Sequence, residues 1–138
     1  MTHGIQLDTW YRITTVDDWR KLNDLVAGFH DGVLKELHWT HSEYVNQEFE
    51  MVYVENPRVW LLVQLQSQET PAVEMRFGGV TECTVNAARE LESSISIKSK
   101  SIVFSLSADG ASRVVAETCE YRLRGLDMLG SGPFDVTL

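Results

Sequence analysis

With two cysteines and 12 lysines and arginines in 138 residues, this chain is short of several features that announce a function. Too few cysteines are present for a disulfide framework, and Cys83 and Cys119 each lie in an apolar, strand-like segment, where a reduced thiol behaves as a small hydrophobe. Basic residues are outnumbered by 20 acids, giving a formal net charge of -8. That charge repels phosphate backbones and anionic membrane surfaces, which argues against nucleic-acid and membrane binding and favours cationic partners. No apolar stretch approaches the length needed to cross a bilayer, and Met1 to Asp8 holds neither a basic cluster nor the apolar run of a leader. A cytoplasmic protein is the expectation. No serine sits in a glycine-flanked elbow, and Gly78-Gly79 lacks the spacing and the following helix of a phosphate-binding loop. The expectation is therefore a non-enzymatic protein without a cofactor.

What is present is periodicity. A chain of 138 residues suits one domain, residues 1–138, and folding would bury about 68% of its unfolded surface without a metal or disulfide. Thr15 can cap a helix, with Asp18 three residues later facing the exposed amides of the first turn. Trp19, Leu22, Val26 and Phe29 then recur at spacings of three and four, which predicts an amphipathic helix over about 16–29. Gly28 weakens its end. His30-Asp31-Gly32 reads as a structural turn, in which Asp31 accepts backbone amide protons and Gly32 is free to take positive φ.

After Gly32 the period changes from 3.6 to 2, and a β body over about 33–124 is expected. Leu37, Trp39 and His41 alternate with Glu36, His38 and Thr40. Residues 47–55 alternate Phe49, Met51 and Tyr53 with Glu48 and Glu50, and residues 58–67 place Val59, Leu61, Val63 and Leu65 on one face. These two segments read as a hairpin turning at Asn56-Pro57. Val73, Met75 and Phe77 alternate with Glu74 and Arg76, and Gly78-Gly79 predicts a bend that re-aims the next strand through Val80, Cys83 and Val85. Ile95 and Ile97, then Ile102, Phe104 and Leu106, precede a turn at Asp109-Gly110. Arg113 to Arg124 reads as a last strand. The tail, 125–138, carries Leu126, Met128, Leu129, Pro133 and Phe134 and is expected to dock on the body or cover an edge. The fold class predicted is α+β, mainly an antiparallel sheet of six or seven strands with one N-terminal helix.

Candidate chemistry is sparse. Imidazoles and carboxylates among His30, Asp31, His38 and His41 invite a metal reading, but three residues along a strand put His38 and His41 on opposite faces. Asp31 as a general base lacks a partner carboxylate of identifiable spacing. Trp60 stands out, because the opposite parity of its strand already fills with Val59, Leu61 and Val63. Either a further layer, for which the helix is the candidate, covers Trp60 and Leu62, or they form a partner-binding patch. Glu48, Glu50 and Glu74, with Trp60, are the candidate partner contacts, suited to steering a basic protein.

Phe29-His30-Asp31-Gly32 entering the first strand, the strand Val73-Glu74-Met75-Arg76-Phe77-Gly78-Gly79-Val80, and the strand ending near Cys119-Glu120-Tyr121 resemble small bacterial β-rich proteins that include immunity proteins of polymorphic toxin systems. The resemblance spans about residues 16–124. It implies a protein that binds and neutralises a cognate toxin, and it carries over no functional residue. Two other readings stay open: a small-ligand-binding or hydrolytic protein with a pocket near His30 and Asp31, joined by His38, and a homo-oligomer paired through an open sheet face or edge.

Overall fold

The computed structural model describes residues 4–41, 43–53, 56–86 and 90–131. It is mainly antiparallel sheet with one α-helix, as the α+β reading expects. In chain order the strands are β1 (Tyr11–Arg12), β2 (Val33–Thr40), β3 (Tyr44–Val45), β4 (Met51–Val52), β5 (Arg58–Gln64), β6 (Ala72–Gly78), β7 (Glu82–Thr84), β8 (Ser94–Lys98), β9 (Ser101–Ser105), β10 (Arg113–Ala116) and β11 (Thr118–Arg124). Eleven strands among the described residues exceed the six or seven expected. The surplus comes from segments of two or three residues, too short to show a period of 2, and from one predicted strand that breaks in two.

Among the described residues, five strands form one sheet in the order β1-β11-β6-β5-β2, four form another in the order β7-β10-β9-β8, and β3 pairs with β4. The two large sheets share one core. Phe77 of the first meets Phe104 of the second with ring centroids 5.8 Å apart, and Phe29 approaches Phe104 edge-on at 6.2 Å.

Two chain segments, β6–β7 and β10–β11, bend at one corner and pass from one sheet into the other. Gly78-Gly79 carries the chain from β6 into β7, the re-aiming that the glycine pair predicts. Gly79 has φ +62, and a Cβ there would meet the Glu117 side chain at 2.8 Å. Opposite it, Glu117 separates β10 from β11, and its N–H donates to Gly78 O at 3.0 Å. This one residue flips the parity: Val114 and Ala116 are buried before it, Cys119, Tyr121 and Leu123 after it. The expected single strand over Arg113–Arg124 is thus two strands in two sheets, in the manner of orthogonal corners.

Helix α1 (Val16–Leu25) begins with the expected capping box between Thr15 and Asp18. Leu22, Val26 and Phe29 are buried and Trp19 is partly so, which places the predicted stripe against the core. The α-helix stops earlier than residue 29, however. Gly28 takes φ +68, and Ala27–Phe29 forms a 3-10 turn. The His30-Asp31-Gly32 turn also differs from expectation. Positive φ falls on Asp31, at +60, not on Gly32. Glycine is required at 32 by packing instead, because a Cβ would lie 2.8 Å from both Leu65 Cδ2 and Phe29 O. The Asp31 carboxylate accepts no backbone amide among the described residues and is 67% exposed, with His30 Nε2 at 3.7 Å.

The predicted hairpin between 47–55 and 58–67 is replaced by a different pairing. β5 lies between β2 and β6, while β3 and β4 form their own two-stranded ribbon. Asn46 causes the change: its Oδ1 accepts the N–H of Glu48 at 3.0 Å and of Glu50 at 2.9 Å, and Phe49 takes φ +63. Residues 46–50 are therefore a tight turn, and the alternation through them is not a strand.

The tail docks in part. Met128, in a 3-10 turn (Leu126–Met128), is buried with Leu62 and Ala72, and Trp60 packs against them. A layer does cover Leu62, and it comes from the chain after residue 125, not from the helix. Gln64 Nε2 ties it down by donating to Met128 O at 3.0 Å. Pro133 and Phe134 lie outside the described residues. No helix among the described residues is long and apolar enough to cross a membrane.

Candidate functional site

Three regions receive the residues singled out by sequence. The first is the outer face of the five-stranded sheet, where alternation and register bring Glu120, Arg76, Trp60 and His38 into one row and Arg122, Glu74, Leu62 and Glu36 into the next. Glu74 is only 3% exposed, which corrects its reading as a surface contact. Trp60 Nε1 donates to its Oε2 at 2.7 Å, Arg122 Nε donates to its Oε1 at 3.0 Å, and Arg124 Nη1 bonds the same oxygen. Burial alone would raise the Glu74 pKa, but hydrogen bonds from Arg122, Trp60 and Arg124 outweigh it and hold the carboxyl below its ordinary value. Arg124 in turn pairs with Asp8 at 2.7 Å.

This network continues into a clamp. Arg76 pairs with Glu120 through two hydrogen bonds, of 3.3 and 3.2 Å, while the Arg76 and Arg122 guanidinium groups lie 3.9 and 4.7 Å from the Trp10 ring centroid. Beside it an open groove of about 740 Å³ runs over Gly78, with His38, Arg58, Trp60, Arg76 and Glu117 among its walls. Trp60 is therefore a half-buried ring held in place by Glu74.

The second region is the ribbon of β3 and β4, which lies in sequence between β2 and β5 and forms a two-stranded sheet of its own. Tyr44, Val45, Phe49, Met51 and Tyr53 are all exposed, Phe49 to 91%. Glu48 and Glu50 flank Phe49 and point to solvent, as a contact role requires. Between Lys35 and Arg58 the sequence has no lysine or arginine, and it has five glutamates, at 36, 43, 48, 50 and 55. Aromatic residues and methionine are enriched in protein interfaces relative to the rest of protein surfaces. The signal readable in advance was this charge run combined with Asn46; alternation concealed it.

At the third region the residues do not converge. His30 is 79% exposed and borders a shallow recess with Asn23, Glu90 and Glu92, and neither Asp31 nor His38 lines it. His38 faces the outer groove, where its ring packs at a 48° tilt against Trp60, centroids 5.0 Å apart, and approaches Glu36 at 3.1 Å. His41 lines a separate cavity across the sheet, as the strand geometry requires. Among the described residues no cluster of three or more His, Cys, Asp or Glu side chains is placed to hold a metal. Cys119 is buried and Cys83 half-buried, both free, and burial raises both thiols, leaving neither as a ready nucleophile.

Comparison of the chain with protein-family models, with curated proteins and with solved structures found no match.

Proposed function

We propose that this chain is a non-enzymatic protein-binding domain whose ribbon of β3 and β4 engages a basic protein partner. The observation that carries the reading is the concentration of exposed apolar side chains on a two-stranded ribbon whose charges are all negative. On a monomer such a patch is expensive to leave in water, and its usual purpose is a partner. Glu48 and Glu50 accelerate encounter with a cationic surface, and Phe49, Met51 and Tyr53 supply the apolar anchors. Neutralisation of a cognate toxin is the biological role that fits a small acidic binder of this kind. The outer sheet face serves as a support, with Glu74 buried in it and Trp60 half-buried beside the groove.

The test is co-purification of the tagged chain from its native cell, followed by native mass spectrometry, alongside the double variant Phe49→Ser, Tyr53→Ser. A stoichiometric complex with one basic protein, absent from the variant, is expected. A complex that survives the variant unchanged, or a self-complex alone, contradicts the reading.

The outer groove favours a second reading. Its Arg58, Arg76, His38 and Glu117 provide both signs of charge around a glycine floor, the setting for a small polar ligand. This moves the small-ligand hypothesis from the His30-Asp31 turn to the opposite side of β2.

A further inference from the structure

We infer that the outer groove binds a small zwitterion, holding the ligand's carboxylate at Arg58 and its ammonium at Glu117. The inference rests on the reading of that groove as a small-ligand site and names the ligand's chemistry. Strand register builds the site. Arg58 and Thr118 are the Cα partners of Gly78 on its two sides, so a residue without a side chain sits between an arginine and a threonine. About 740 Å³ opens over it, within the roughly 300–1,000 Å³ of small-ligand sites. Gly79 continues the opening at the corner. The Glu117 side chain stands where a side chain of residue 79 would be, with Cδ and Oε2 2.8 and 2.9 Å from the position of a Cβ.

The charged groups around the groove divide into those already matched and those not. Arg76 gives two hydrogen bonds to Glu120 and lies over the Trp10 ring, so that pair neutralises itself. Trp60 donates its N–H to Glu74, and what it presents to the groove is carbon. Thr118 Oγ1 accepts the Gly78 N–H at 3.1 Å, which leaves its own hydrogen to donate. Arg58 and Glu117 differ from these. Both are exposed, and neither makes a side-chain hydrogen bond or an ion pair with a described residue.

This division dictates the occupant. The Arg58 guanidinium presents a planar fork of N–H donors, which matches a carboxylate or a phosphate. Glu117 lines the same groove and repels an anion, most strongly a multiply charged phosphate. An anion alone gains Arg58 and meets Glu117, and a cation alone gains Glu117 and meets Arg58. A molecule that carries one carboxylate and one ammonium satisfies both. Free amino acids and short peptides with free ends have this chemistry, and the carbon surface of Trp60 suits an apolar side chain between the charges.

Leucine and glycyl-leucine are the probes, each titrated into the full chain beside its C-terminal amide and its N-acetyl form and followed by amide NMR. Shifts should centre on Gly78, Gly79 and Thr118, and the tighter of the two parents tells whether a free amino acid or peptide ends are the source. Each capped form should bind about tenfold more weakly than its parent, or worse. Arg58→Met should weaken the parent by a similar factor and leave the C-terminal amide unaffected, while Glu117→Gln should weaken the parent and leave the N-acetyl form unaffected. Resonances away from the groove should stay in place in both variants, since neither side chain has a described partner. Capped forms that bind as tightly as their parents, or variants that bind like the native chain, would overturn the zwitterion while the small-ligand reading stands. No shift at Gly78 and Gly79 from any of the six compounds would overturn both.

Discussion

A single carboxylate, Glu74, organises the outer sheet face, because two arginines and an indole N–H converge on it in a nearly dry position. Removing it with Glu74→Ala leaves Arg122, Arg124 and Trp60 without their shared acceptor. The expected loss is about 3 kcal/mol in urea unfolding. Glu74 and Asp18, whose carboxyl is lowered chiefly by the Thr14 N–H, both have folded pKa values below their ordinary 4.5 and 3.8. Each therefore contributes stability that is complete above those values and lost as pH falls through the depressed ones. The urea midpoint should drop below pH 4.5, and less steeply in Glu74→Gln, which has no carboxylate there to protonate. Gly32→Ala should cost about 2 kcal/mol by overpacking against Leu65 and the Phe29 carbonyl, measured by thermal and urea unfolding. At this scale the sequence was a mixed guide. It marked Glu74 and Gly32 as important, but a carboxylate on an outward parity looks solvated until the arginines of β11 are known to lie beside it.

Elements were legible in proportion to their length. The helix announced itself through Thr15, Asp18 and the stripe from Trp19 to Phe29, and Thr15→Ala should cost about 1 kcal/mol by removing the cap to the Asp18 amide. β5 and β6, seven residues each, showed their alternation plainly. Elements of two residues carry no period, so β3 and β4 were hidden, and the turn at Asn46 was masked by residues that happen to alternate through it. The corner was half visible: Gly78-Gly79 signalled a bend, while Glu117 has no feature that betrays a parity change. Its effect depends on the partner strand bending at the same level.

For the whole molecule, two sheets share one core and are joined through one corner, while β3 and β4 pair apart from both. The acidic balance seen in the composition gains a location, since the stretch from Glu36 to Pro57 contains no cation. Phe49→Ser, Tyr53→Ser should leave unfolding free energy within about 0.5 kcal/mol of the parent, as expected for exposed positions. Binding and stability should thus separate: variants of the ribbon lose the partner and keep the fold, and variants at Glu74 weaken the fold. Site-specific photo-cross-linking in the native cell tests this most directly, with the cross-linker placed at Phe49 and, as a control, at exposed Ser96 on β8. The account predicts one discrete adduct with a basic protein from position 49 and none from position 96; equal adducts from both positions, or none from 49, would contradict it.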